Sequence, residues 1–384
     1  MHGQSGPPTP AAERQVLVVG GSLAGLATAA FLQTGGLSPV VVTARERDDE
    51  PPRDVVLWSS ARSLLAELDP DGRLPASPTV VREWLLRRPD GVSERLTSAH
   101  DGRWPVATTD RARLRRQLRT RLPPGGIRMS KTPSRLEPTD AGLLVEFEDG
   151  VRERFDVVVG GEGPRSWVRQ ARFDDARPTR RGTARVTLRT DGRLGSPGRI
   201  TELWTAEGTF TYGPPGTGRA QFVTTAVDGS DHTFEPAVDA VSRLSAAADR
   251  AECLPDHRPL AGLDVVDGDV DFGVPSDRWI AGRAALVGDA ARPLPPTLPL
   301  GPSLAIEDAY VLAEELTRRA SVTAALQRYA RRRRGRQRLL GRELTADDSC
   351  PTTLHASRDL RAALLRAFFA RRPPAMSPDV ADHL

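Results

Sequence analysis

The residues Gly20-Gly21-Ser22-Leu23-Ala24-Gly25 carry the first chemical signal in the chain. They stand directly after an apolar run, Gln15-Val16-Leu17-Val18-Val19, and open a stretch of good helix formers, Ala24 to Gln33. A strand that turns through glycines into a helix presents the unpaired N–H groups of the first helical turn, and the positive end of its dipole, to an anion. A pyrophosphate suits that place. Gly20 allows the tight turn and Gly25 allows close helix–strand packing, with Gly21, Ser22, Leu23 and Ala24 completing the candidate cofactor contact. The middle glycine of the G-x-G-x-x-G fingerprint is Ser22 here. Taken alone, the six residues are also compatible with a plain strand–helix turn.

The second strand leaves two cofactors open. Dinucleotide folds place an acid about 20 residues beyond the glycines, where it accepts the adenosine ribose hydroxyls. Here the run Val40-Val41-Val42-Thr43 ends at Ala44, and Arg45, Glu46 and Arg47 come next. Either the acid is absent or displaced to Glu46, or Arg45 and Arg47 meet a 2′-phosphate in the manner of an NADP fold. Other chemistries find little support. The six histidines, His2, His100, His232, His257, His355 and His383, lack ligand spacing, so no metal site is expected. Ser59, Ser60 and Ser303 lack the context of a nucleophile elbow. Cys253 and Cys350 can form neither a disulfide framework nor a metal cluster, which points to a reducing cytoplasm.

The elements that must position this turn are legible around it. The apolar run at 15–19, the helix closed by Gly35-Gly36 and the strand at 40–43 make a βαβ opening. Arg111 to Arg121 reads as an Arg/Leu helix stopped by Pro123-Pro124. Gly142–Phe147 and Val151–Phe155 flank Asp149-Gly150, a hairpin signal. Asp156–Val159 and Ala284–Val287 read as buried strands, and Ser303 to Arg319 as a helix with Ala305, Ala309, Leu312 and Leu316 on one face. Between Arg181 and Phe272 short alternating runs, among them Ala184–Leu188, Gln221–Ala226 and Val265–Val270, suggest an antiparallel sheet. Trp204 and Tyr212 on that sheet fit a substrate pocket and a packed core equally well.

Length and composition bound the rest. A chain of 384 residues suits two closely packed domains, and it holds no apolar run long enough to span a membrane. Its first fifteen residues lack the apolar centre of a signal peptide. The formal net charge is only +4, and Lys131 is the single lysine. The basic run from Arg331 to Arg338 has no interleaved aromatics. It reads as a solvated late helix, and no nucleic-acid partner is expected.

Three longer segments resemble the class A flavoprotein monooxygenases, the para-hydroxybenzoate hydroxylase type. Arg278-Trp279-Ile280-Ala281-Gly282-Arg283-Ala284-Ala285-Leu286-Val287-Gly288-Asp289-Ala290-Ala291 is similar to the family's Gly-Asp segment. The adjoining Pro296-Thr297-Leu298-Pro299-Leu300-Gly301-Pro302-Ser303 resembles its proline/glycine turn and helix start. Asp156 to Arg169 resembles its internal Asp-Gly segment, with Glu162 in place of the aspartate. Arg111-Ala112-Arg113-Leu114 resembles the helix whose first arginine approaches FAD. The resemblance implies FAD as cofactor, with Gly288 and Asp289 at the ribityl chain, Pro296, Gly301, Pro302 and Ser303 at the pyrimidine edge of the flavin, and Arg111 near the cofactor. It further implies NADH or NADPH as reductant and O2 as co-substrate. A flavin hydroperoxide would then deliver one oxygen to a small organic, often aromatic, substrate. No catalytic acid–base pair is assigned, because the flavin carries the chemistry.

The sequence departs from the family at Ala44, at Arg292 where histidine is common, and at Pro299-Leu300 where Gly-Gln is usual. Another FAD-dependent oxidoreductase on the same scaffold, or a non-catalytic descendant that binds FAD weakly, stays open at this point. The expected fold is α/β, with a Rossmann-like FAD-binding parallel-sheet domain interleaved with a mostly antiparallel substrate domain. The FAD domain takes residues 12–70, 106–178 and 275–345. The substrate domain takes 71–105 and 179–274, and 346–384 form a helical tail.

Overall fold

A computed structural model describes residues 13–44, 54–69, 71, 74, 78–87, 93–97, 106–173, 183–189, 196–204, 209–213, 219–225, 278–294 and 299–344. Arg45, Glu46, Pro296, both cysteines and the run Val265–Val270 lie outside these residues, as does the side chain of Trp204.

The valine-rich runs become the centre of a six-stranded sheet. Its strands are β1 (Val16–Val19), β2 (Val40–Thr43), β8 (Ile127–Met129), β12 (Val157–Gly160), β17 (Ile280–Ala281) and β18 (Ala284–Leu286). The order is β17-β18-β12-β1-β2-β8, parallel throughout except for β17. β1 and β12 are buried on both faces, which is why they read as unbroken apolar runs rather than alternating ones. β1 has β2 on one side and β12 on the other. The chain therefore leaves it in both directions, and its carboxyl end opens the crevice where doubly wound sheets bind ligands.

Helices α1 (Leu23–Thr34), α2 (Ser59–Leu68), α3 (Arg111–Arg119) and α4 (Trp167–Arg172) flank these strands, together with α5 (Gly301–Arg318) and α6 (Val322–Leu344). α1 is nearly all apolar and buried because it lies against α5, where Phe31 and Tyr310 meet edge to face at 5.4 Å. The Arg14 guanidinium caps the far end of α5, donating to the carbonyls of Leu316, Arg319 and Ala320.

Three further sheets complete the described fold. β9 (Pro133–Thr139), β10 (Gly142–Phe147) and β11 (Arg152–Phe155) form an antiparallel meander, with the expected hairpin at Asp149-Gly150. β3 (Asp54–Trp58) and β4 (Thr79–Val81) both pair antiparallel with β7 (Val106–Asp110). The last sheet has the order β13-β16-β15-β14-β5-β6. It is built from β5 (Glu83–Arg87), β6 (Ser93–Thr97), β13 (Thr183–Arg189), β14 (Arg199–Trp204), β15 (Thr209–Tyr212) and β16 (Arg219–Thr225). All its pairings are antiparallel except β14 with β5, two strands from distant segments. Between those two the Trp84 indole donates to the buried Glu202 carboxylate at 3.3 Å. The α/β architecture with a parallel cofactor sheet and a mostly antiparallel second sheet is the one expected.

The late arginine run requires a correction. It is helical, but among its described side chains only Arg331 and Arg334 are exposed, while Arg333 is wholly buried and the Arg332 side chain nearly so. Two carboxylates of α5, Glu307 and Asp308, are buried opposite and demand a cation. The signal was present in the sequence. Val322, Leu326, Tyr329 and Arg333 share one face of α6, so the arginine continues an apolar stripe.

Candidate flavin site

The glycine turn is fixed from three sides. The Gly20 N–H donates to the Val42 carbonyl and the Gly161 N–H to the Val19 carbonyl, each at 2.8 Å, so β2 and the end of β12 frame it. Ser22 caps α1. Its hydroxyl accepts from the Gly25 N–H at 3.3 Å and donates to the Gly161 carbonyl at 2.5 Å. The serine in the fingerprint thus makes two bonds that a glycine could not make. Gly25 is obligatory for another reason: a Cβ there would stand 2.0 Å from the Gly20 carbonyl oxygen. On the outer side the Arg115 guanidinium forks onto the Gly21 carbonyl, with Nε at 3.0 and Nη2 at 2.7 Å.

Beyond the turn lies a cleft of about 270 Å³, lined by Gly20–Ser22, Val42–Ala44, Lys131–Pro133, Glu162 and Trp167. Ala44 offers only a methyl group where an acid was expected. Thr43, Thr132 and Lys131 supply polar groups to the lining, and Lys131 also pairs with Asp149 and lies over the Phe147 ring. Glu162 also lines the cleft. Its carboxylate accepts from the Ser166 hydroxyl at 2.5 Å and the Val168 N–H at 3.0 Å, holding the start of α4. Burial pushes this carboxyl up to about 7, against the downward pull of those two hydrogen bonds.

Gly288 and Asp289 form a short turn at the end of β18. Gly288 has φ +60°, and a Cβ there would stand 2.8 Å from Ala24 Cβ and 3.2 Å from Ala305 Cβ. The Gly-Asp turn is therefore pressed between the first turn of α1 and the start of α5. Asp289 is exposed, and its Oδ1 lies 3.7 Å from the place of a Gly301 Cβ. Around the turn, Arg169 donates Nε to the Ala290 carbonyl and Nη2 to the Ala291 carbonyl, both at 2.7 Å. The Gly288 N–H donates to Asp308 Oδ2 at 3.0 Å.

The start of α5 is braced by β3. Pro302 occupies its first turn, and Ser303 Oγ accepts from the Trp58 N–H at 3.0 Å. The Trp58 indole donates to the Pro299 carbonyl at 2.9 Å, so the departure at Pro299-Leu300 comes with its own anchor.

The fold packs the glycine turn (Gly20, Gly21, Ser22, Leu23, Ala24, Gly25), the Gly-Asp turn (Gly288, Asp289) and the start of α5 (Gly301, Pro302, Ser303) next to one another, and of these residues Gly20, Gly21 and Ser22 line the cleft. Arg111 begins α3, half-buried, one helical turn before the arginine that reaches the glycine turn. Tyr212 is buried beside Phe210, their ring centroids 5.7 Å apart. Sequence reasoning missed Arg115, Arg169, Asp308, Arg333 and Trp58. The residues present suit FAD: a glycine cradle at a helix N-terminus for the pyrophosphate, and an exposed carboxylate on the turn packed against it.

A parallel sheet with a glycine turn at its switch point and a Gly-Asp turn packed on that cradle defines an FAD-binding α/β protein. The family described as FAD binding domain matches residues 273–342. The 3-amino-4-hydroxybenzoate 2-monooxygenase of Streptomyces platensis is 30% identical over 329 residues, covering 79% of each chain. The aurachin C monooxygenase/isomerase of Stigmatella aurantiaca is 27% identical over 325 residues, covering 82% of this chain and 83% of the relative. Among solved structures, Klebsiella pneumoniae HpxO complexed with FAD and uric acid superposes with a TM-score of 0.74 at 21% identity, covering 96% of both chains. The chain belongs to the class A flavin-dependent monooxygenases; it is an enzyme and its cofactor is FAD.

Proposed function

We propose that this enzyme hydroxylates a small aromatic substrate bearing amino or hydroxyl groups, with NADH or NADPH as reductant and O2 as co-substrate, in a reducing cytoplasm. The observation that carries the reading is the packing of Gly288 onto Ala24 with Asp289 beside Gly301, which sets side by side the three segments that this reading assigns to the cofactor. The substrate named for the Streptomyces relative, a benzoate with both substituents, motivates the substrate class.

In this reading the first turn of α1 binds the pyrophosphate through its free N–H groups, and Arg111 adds positive charge nearby. Asp289 accepts hydrogen bonds from the ribityl hydroxyls. The N-terminus of α5, held by Trp58 and Ser303, stabilises negative charge at the pyrimidine edge. Bound FAD supplies the redox chemistry that places one atom of O2 on the substrate and releases the other as water. The protein contributes position and a dry site. Residues 71–105 and 179–274, which include the strands of the sheet ordered β13 to β6, form the substrate side. Residues 12–70, 106–178 and 275–345 form the cofactor side.

The test is a panel of aminated and hydroxylated benzoates, scored by NAD(P)H oxidation, O2 uptake and label from isotopic O2 in the product. A substrate that accelerates both and acquires one labelled oxygen supports the proposal. NAD(P)H oxidation with no labelled product from any substrate makes the enzyme a different oxidoreductase.

A further inference from the structure

We infer that Arg333 is a positioning residue for the Gly288–Asp289 turn, acting from α6 through the Asp308 carboxylate. The inference rests on the reading that this turn meets FAD. Asp308 is buried, and its two oxygens do different things. Oδ2 accepts from the Gly288 N–H at 3.0 Å and faces Arg292 Nη2 at 3.4 Å. Oδ1 accepts from Arg333 Nε at 2.6 Å. The other two nitrogens of Arg333 both donate to Glu307 Oε2 at 3.1 Å, and Glu307 Oε1 accepts from the Ser60 hydroxyl on α2 at 2.7 Å. A planar guanidinium held at three nitrogens leaves the carboxylate plane of Asp308 little freedom, and that plane aims the acceptor at Gly288.

The same helix also grips the strand that delivers the turn. The Tyr329 hydroxyl, one helical turn before Arg333, donates to the Leu286 carbonyl at 2.7 Å. α6 therefore fixes a carbonyl just before the turn and, through Asp308, the first amide inside it. Stability alone is a poor reason for such a cluster, because buried ion pairs are often no more stabilising than apolar side chains of similar size. A lysine at this position would keep the charge but could not span both carboxylates with fixed nitrogens.

The experiment uses apo-protein prepared from the full chain. FAD affinity is measured by flavin fluorescence, the visible circular dichroism of the saturated protein is recorded, and the apo melting temperature is taken. The variants are Arg333→Lys, the charge-balanced double Arg333→Met with Glu307→Gln, and Asp289→Ala. We expect folded Arg333→Lys to lose roughly tenfold in FAD affinity, about the lower value for one charged hydrogen bond, and to show an altered flavin dichroism band. The double variant, which leaves no uncompensated carboxylate, should behave likewise if the lysine protein fails to fold. Wild-type affinity and dichroism in either folded variant, even with a lowered melting temperature, would make the cluster purely structural and overturn the inference. Unchanged affinity in Asp289→Ala would instead remove the reading of the turn itself.

Discussion

The guanidinium of Arg115 closes on the carbonyl oxygen of Gly21 with two nitrogens, at 3.0 and 2.7 Å. This contact keeps the Gly21 carbonyl turned outward, so the neighbouring N–H groups stay available to a phosphate. Arg115→Met is expected to weaken FAD binding by roughly 10- to 150-fold, the range for one charged hydrogen bond of about 1.5–3 kcal/mol. Arg111→Ala should also weaken it, through loss of nearby charge, and by less. Flavin titration of the two variants ranks them. Equal, unchanged affinities would return both arginines to the helix surface.

Ala44 bears on the adenosine end. It lines the cleft at the end of β2, where a carboxylate would accept both ribose hydroxyls. Native FAD binding should accordingly be weak, with apo-protein present after purification. Ala44→Glu should tighten binding by about 10-fold or more. Titration of both proteins checks this, and indifference to the substitution would move the adenosine away from this strand end.

Glu162 gives the protein a pH signature. Burial raises its carboxyl from 4.5 to about 7, so between those values the folded chain holds a proton that the unfolded chain has released. Stability from this group is complete below pH 4.5 and is lost as pH rises through about 7. Glu162→Gln keeps an acceptor for the Val168 N–H and removes the titration. Chemical denaturation from pH 5 to 8 should therefore show a decline in wild type that is shallower in the variant. Parallel profiles would place the carboxylate in a more solvated setting.

Much of the site could be read in the sequence because it is local. The glycine turn, the βαβ opening, the Gly-Asp strand end and the start of α5 are each contiguous runs whose spacing dictates their shape. The missed residues act across the chain. Trp58 meets Ser303 across 245 positions, Arg169 meets Ala290 across 121, and no local pattern encodes either meeting. Arg333 was misread because a run of arginines suggests a solvated face. The apolar stripe that it continues was legible, but its two carboxylate partners lie on another helix, and only the packing of α6 against α5 reveals them. Ser22 reads in sequence as a departure from the glycine fingerprint, whereas its hydroxyl caps α1 and reaches the Gly161 carbonyl.

FAD is expected to lie across both the glycine turn and the Gly288–Asp289 turn packed on it. The most direct measurement is the flavin content and FAD affinity of Asp289→Ala beside wild type, with the melting temperature of each apo-protein. Asp289 is exposed, so the variant should fold with a nearly unchanged melting temperature. It is expected to bind FAD at least tenfold more weakly, from the loss of a charged acceptor. A folded Asp289→Ala protein that purifies with wild-type flavin content and titrates with wild-type affinity would contradict it.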